Sequence, residues 1–158
     1  MLKIGKVVNT HGIKGEVRIL SDFDYKDIIF RNGSHIYINN DELIITSYRV
    51  HKCYDMVKFE GIDNINNVLK YKGFDVYIKR DDYKFPSVLD AELIGANVYF
   101  KNKNIGVLKQ IQKGKLQKLM VIYNGEKDIL VPYVDEFVKK ATANEIELTR
   151  IEGLIDAN

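Results

Sequence analysis

Apolar and polar residues alternate through most of the chain, and a period of two marks strands with one buried face. Ile4, Val7 and Val8 precede a turn bracketed by Gly12 and Gly15, and Val17, Ile19 and Leu20 follow it. Ile36 and Ile38, residues 43–50, residues 56–59, and Phe74, Val76 and Ile78 continue the rhythm. Arg31-Asn32-Gly33 and Asn39-Asn40-Asp41 carry turn chemistry. Two segments depart from this period. Residues 24–30 fit one or two helical turns with Ile28 and Ile29 inward. Residues 62–71 read as a helix: Ile62, Ile65, Val68 and Leu69 share a face, Asp63 can cap it, and Gly73 follows its end.

Residues 80–91 interrupt the strands with clustered charge and Pro86, which lacks an amide donor and disfavours a central strand. A second strand series follows at 98–100, 105–111, 119–123, 129–131 and 146–148. Lys103-Asn104 is expected to turn the first of its hairpins, and Asn124-Gly125 is the strongest hairpin signal in the chain. Val134, Phe137 and Val138 suggest a helical turn on the barrel mouth. Short, evenly spaced strands without covering helices suit closed sheets, because closure removes edges. The expected fold is mainly β: two small β-barrels, residues 1–80 and 92–158, joined by a linker at 81–91. One larger β-sandwich is the alternative.

Composition narrows the function. The 158 residues carry 24 Lys+Arg against 22 Asp+Glu, a net charge of +2, which is no signature of a nucleic-acid coat. The single cysteine excludes an intramolecular disulfide and a four-thiolate zinc site. Apolar runs fall far short of the roughly 20 residues of a membrane helix, and no signal-peptide core is visible. The expected setting is cytoplasmic, with no membrane, metal or cofactor. Charge is unevenly spread: Lys101, Lys103, Lys109, Lys113, Lys115 and Lys118 have no acid among them, and residues 126–158 are acidic in compensation.

Candidate chemistry is sparse. His51, Cys53 and Asp55 could compose a nucleophile site only if the fold converged them, and two ligands in one place make no zinc site. Gly12-Ile13-Lys14-Gly15 matches a KH-type G-x-x-G, but its flanks are strands where a KH loop needs helices. The glycines there serve a turn, which leaves Thr10, His11 and Lys14 to be explained by something else. Tyr83 and Phe85, on the connecting segment, are candidate anchors for a protein partner.

Residues 4–17, Ile-Gly-Lys-Val-Val-Asn-Thr-His-Gly-Ile-Lys-Gly-Glu-Val, resemble the opening strand–turn–strand of the RimM family of ribosome maturation factors. Leu93-Ile94-Gly95 with Val98-Tyr99 and Asn104-Ile105-Gly106-Val107 is similar to the start of that family's second domain. Residues 129–138, with Pro132 before Tyr133-Val134-Asp135-Glu136, and Ile151-Glu152-Gly153-Leu154 match its tail. The resemblance implies a six-stranded N-terminal barrel and a C-terminal PRC-type barrel. It implies a non-enzymatic assembly factor of the small ribosomal subunit, one that binds the head-domain ribosomal protein nineteen and assists rRNA processing; a monomer is expected. The family's paired tyrosines before the Leu-Ile-Gly element are absent, and Val88 and Leu89 stand in their place. On this footing Thr10, His11, Gly12, Lys14, Gly15 and Arg18 are the expected RNA or subunit contacts. Tyr83, Phe85, Asp128, Pro132, Tyr133, Asp135 and Glu136 are the expected ribosomal-protein contacts. A generic RNA-binding barrel without a ribosomal-protein partner is the alternative.

Overall fold

The computed structural model describes residues 1–157, and Asn158, the last residue of the expected second barrel, lies outside them. The chain divides into two compact units, Met1–Phe85 and the residues from Pro86 onward.

In the first unit, β1 (Leu2–His11), β2 (Glu16–Leu20), β3 (His35–Ile38), β4 (Asp41–His51), β5 (Tyr54–Phe59) and β6 (Asp75–Ile78) close into a barrel in the order β1-β2-β5-β4-β3-β6. Every ladder is antiparallel, and β6 completes the ring by pairing with both β1 and β3. The inward positions are those the alternation marks: Ile4, Val7, Val17, Ile19, Ile36, Ile38, Ile45, Val57, Phe59, Val76 and Ile78 form one buried cluster. Each such side chain contributes about 1.5–3 kcal/mol on burial. Asn39 and Asn40 both take positive φ between Ile38 and Asp41, so a two-residue hairpin joins β3 to β4. A single helical turn, α1 (Lys26–Ile29), buries Ile29 on the barrel.

The helix expected over 62–71 is replaced by two 3₁₀ turns, Ile65–Asn67 and Leu69–Tyr71. Ile62, Ile65, Val68 and Tyr71 are spaced by three, the period of a 3₁₀ helix, and all four pack on the core while Leu69 is 49% exposed. Asn64, not Asp63, caps the first turn, its side chain accepting from the Asn66 amide.

The second unit holds β7 (Asn97–Phe100), β8 (Lys103–Lys113), β9 (Lys118–Tyr123), β10 (Asp128–Pro132), β11 (Val138–Ala141) and β12 (Glu145–Leu148) in the sheet order β10-β9-β8-β7-β12-β11. The β12–β7 ladder is parallel, and the others are antiparallel. Helices α2 (Asp90–Leu93) and α3 (Glu152–Ala157) flank the sheet in sequence, and Leu93 joins the core of Val98, Leu108, Met120, Ile122, Val131 and Ile146. The β7–β8 turn falls at Lys101-Asn102, where both residues take positive φ, and not at Lys103-Asn104. Asn124 and Gly125 do turn the β9–β10 hairpin, within a four-residue loop in which Asn124 Oδ1 accepts from the amides of Glu126 and Lys127. Among the residues 134–138, amides of Phe137 and Val138 donate to the Val134 carbonyl, giving the expected helical turn; the strand β11 that follows it was not visible in the alternation.

Candidate functional site

The β1–β2 turn is held at its base and free at its tip. Gly12 and Gly15 sit at φ +69° and +90°, conformations that side chains rarely adopt. A Cβ on Gly15 would lie 3.2 Å from Ile62 Cγ2 and 3.3 Å from the backbone N and O of Asn64. The Ile65 amide donates to the Ile13 carbonyl at 3.0 Å. Residues 62–65 thus fasten the turn, while Gly12, Ile13 and Lys14 stand in solvent, Ile13 at 79% exposure. Thr10, half-buried, directs its amide to Asn9 Oδ1 at 2.9 Å.

Behind the tip, planar groups gather on the outer face of β1, β2, β5 and β4. Arg18 Nη2 lies 3.1 Å from His11 Nδ1. Arginine only donates, so in this bond Nδ1 accepts and the ring proton of neutral His11 sits on Nε2. The Arg18 guanidinium also lies over the Tyr54 ring, 5.0 Å from its centroid. The His11 and His51 rings are 5.8 Å apart. Arg49 donates from Nη2 and Nε to the two oxygens of Glu16, at 2.7 and 2.9 Å. Those bonds from Arg49 hold the Glu16 carboxyl below the usual carboxylate range, against the opposing pull of burial. Met56 is in register with Arg18 on one side and Arg49 on the other, and it is fully buried although it stands outside the core cluster. Long cationic side chains therefore roof a methionine on the barrel's outer surface.

Arg49, His51 and Tyr54 are the residues of this face that sequence reading missed as partners of the turn. Glu16 and Arg49 are 33 positions apart, and the pairing of β5 with both β2 and β4 brings them together.

His51, Cys53 and Asp55 do not form a reactive site. Asp55 is 2% exposed, accepts a hydrogen bond from the Tyr48 hydroxyl at 2.6 Å and pairs with Lys26 at 2.9 Å, while Cys53 is exposed at the β4–β5 turn. Burial, then the Asp55 bond, raises the Tyr48 phenol pKa. Among the described residues no three His, Cys, Asp or Glu side chains gather as a metal-holding group.

Tyr83 and Phe85 pack on the first unit. Phe85 stacks on Tyr83 (5.9 Å) and on Tyr25 (5.4 Å), meets Phe23 edge-on (5.5 Å), and lies under the Arg80 guanidinium (4.9 Å). The Tyr83 hydroxyl donates to the His35 carbonyl at 3.3 Å, and burial raises its pKa.

In the second unit, Pro132 ends β10 opposite Leu119, and the Tyr133 amide donates to the Lys118 carbonyl. Asp135 and Glu136 are exposed on the turn that follows. Asp128 instead pairs with Lys109 at 3.2 Å. Lys101 pairs with Glu152 at 3.4 Å and Lys118 with Asp90. The lysine-rich stretch is therefore partly neutralised within the unit, a change to the picture that linear charge counting gives.

Known proteins resemble this chain in sequence. The family model of the RimM N-terminal domain matches residues 2–83. The ribosome maturation factor RimM of Staphylococcus haemolyticus is 37% identical over 98% of this chain and 99% of its own length. That of Streptococcus mutans is 37% identical over 98% and 97%. A crystal structure of RimM from Pseudomonas aeruginosa is similar over 94% of this chain and 96% of that one, with 21% identity and a TM-score of 0.47.

Proposed function

The chain belongs to the RimM family of ribosome maturation factors, and we propose that it binds ribosomal protein nineteen of the small-subunit head while its barrel faces the maturing rRNA. Family membership places it in ribosome biogenesis and small-subunit assembly. The observation that carries the finer reading is local charge: an exposed acidic pair on the turn after β10 in the second unit, and cations at the β1–β2 turn in the first. The exposed Asp135 and Glu136 beside Pro132 and Tyr133 suit a basic protein, and Lys14 and Arg18 suit RNA. Tyr83 and Phe85 supply a rigid aromatic surface for the protein contact, and Asp128 contributes as one half of its pair with Lys109. Thr10, His11, Gly12 and Gly15 shape the RNA-facing turn.

In this reading the factor is a cytoplasmic monomer that breaks no covalent bond. It binds a partly assembled particle better than the finished one, because only differential affinity shifts an equilibrium. It assists rRNA processing by holding that state, and it leaves when the mature contact surface forms. The test is co-sedimentation of the purified chain with immature and mature small subunits. Preferential binding to immature particles is the expected result. Equal binding to both, or to neither, overturns the mechanism, and steep salt-dependent binding to naked rRNA without any complex with the ribosomal protein favours a generic RNA module instead.

A further inference from the structure

We infer that the outer face of β1, β2, β5 and β4 is a binding face for single-stranded RNA, taking bases on the rings of His11, His51 and Tyr54 and phosphates on Lys14, Arg18 and Lys52. The inference rests on the reading above and goes beyond it by naming the class of nucleic acid and adding the β4–β5 turn to the contact. Unpaired RNA is recognised by stacking on aromatic, imidazole and guanidinium planes beside cations that track the backbone. This face presents those planes already arranged: Arg18 over Tyr54 at 5.0 Å, Arg18 bonded to His11 at 3.1 Å, and His11 against His51 at 5.8 Å.

The charge is open to an anion. Lys14 and Lys52 stand exposed on the two turns, and among the described residues neither they nor Arg18 has a carboxylate partner. The Glu16 carboxylate is bonded bidentately to Arg49, whose positive charge offsets it on this face. The Asp55 carboxylate is turned to Tyr48 and Lys26. The side chains are also held before any ligand arrives: Arg49 is clamped bidentately, and Met56, covered between Arg18 and Arg49, gives both an apolar bed. Holding planar groups in advance lowers the ordering cost of binding. Helical RNA fits less well, because its bases are stacked on one another and their faces are not available to rings.

The test uses the full chain and a fluorescein-labelled single-stranded oligoribonucleotide of about 12 nucleotides, within the site sizes of such surfaces, with a hairpin RNA of equal length as competitor. Binding is read by anisotropy across a salt series. His51→Ala and Tyr54→Leu are each expected to weaken binding roughly five- to hundredfold, the range of base stacking. Lys14→Gln and Lys52→Gln, on exposed turns, are each expected to reduce the salt slope by about 0.7. Lys113→Gln with Lys115→Gln, on the second unit, is expected to change neither. Thermal melts confirm that the variants fold, and the two turn-lysine variants report even if a ring variant does not fold. Parent-like binding by the first-unit variants, loss in the second-unit pair instead, or preference for the hairpin overturns the inference. Lost preference for immature subunits with oligonucleotide binding intact counts against the function proposed above, and leaves this face standing.

Discussion

Gly12 and Gly15 offer a paired experiment, because they share a conformation and differ in surroundings. Both hold positive φ, and an L side chain in the left-handed region costs about 1–2 kcal/mol. Nothing lies within 4 Å of a Cβ on Gly12. Gly12→Ala should therefore cost that strain alone. At Gly15 the added methyl meets Ile62 Cγ2 at 3.2 Å and two backbone atoms of Asn64 at 3.3 Å. The segment cannot retreat freely, since the Ile65 amide is bonded to Ile13 and the Asn64 side chain caps Asn66. Overpacking of this kind adds about 1–3 kcal/mol, so Gly15→Ala should cost about 2–5 kcal/mol in all. At a urea slope of about 2 kcal/mol per molar, the midpoint should fall by about 1–2.5 M for Gly15→Ala and by about 0.5–1 M for Gly12→Ala. Hydrogen exchange should show lost protection in the first unit, with peptides beyond Pro86 unchanged as internal control. Equal costs for the two substitutions would refute the argument that residues 62–65 fasten the turn.

Three further expectations concern other links. Gly106→Ala would place a Cβ 2.4 Å from the Tyr123 carbonyl oxygen at φ +148°, so the second unit should lose about 3 kcal/mol or more in denaturant unfolding while the first keeps its transition. Burial, then a hydrogen bond to Asp41, pushes the Tyr71 phenol from 10 up to about 12. A raised folded-state pKa stabilises below the unfolded value, so the contribution should be present below pH 10 and lost as pH rises through about 12. Tyr71→Phe should flatten that decline, read from urea midpoints across the window, and an unchanged slope counts against it. Asp135→Lys with Glu136→Lys should weaken the ribosomal-protein complex about tenfold and flatten its salt dependence, whereas Asp128→Asn, acting on a carboxylate already paired with Lys109, should do less in the same titration.

The likeness to RimM was legible in the chain because its motifs are local: residues 4–17 form one strand–turn–strand whose glycines, threonine and histidine are contiguous. The six strands of the barrel were legible for a related reason, since burial of alternate residues is written directly into alternation. The segment 62–71 misled because spacings of three and four are shared between helix types, and what decided was the exposure of Leu69 and the bond from Ile65 to Ile13. β11 was hidden because Val138–Ala141 carries two central lysines and pairs only by way of β12. Lys101-Asn102 escaped notice as a turn because lysine carries no bias toward positive φ, and the register of β7 on β8 imposes it.

What the sequence determined by itself is therefore the period of each strand, the identity of the inward side chains and the family motif, all properties of neighbours in the chain. What only tertiary structure decided is which strands share an edge. Pairing β2 with β5 in the first sheet puts Glu16 beside Arg49, Arg18 over Tyr54 and His11 against His51. Folding the second pairs Lys109 with Asp128 and Lys118 with Asp90. A charge in the sequence has a sign but no partner. The partner is set by strand order and register, so the candidate face emerges only when β2 pairs with β5 and joins the two hairpins.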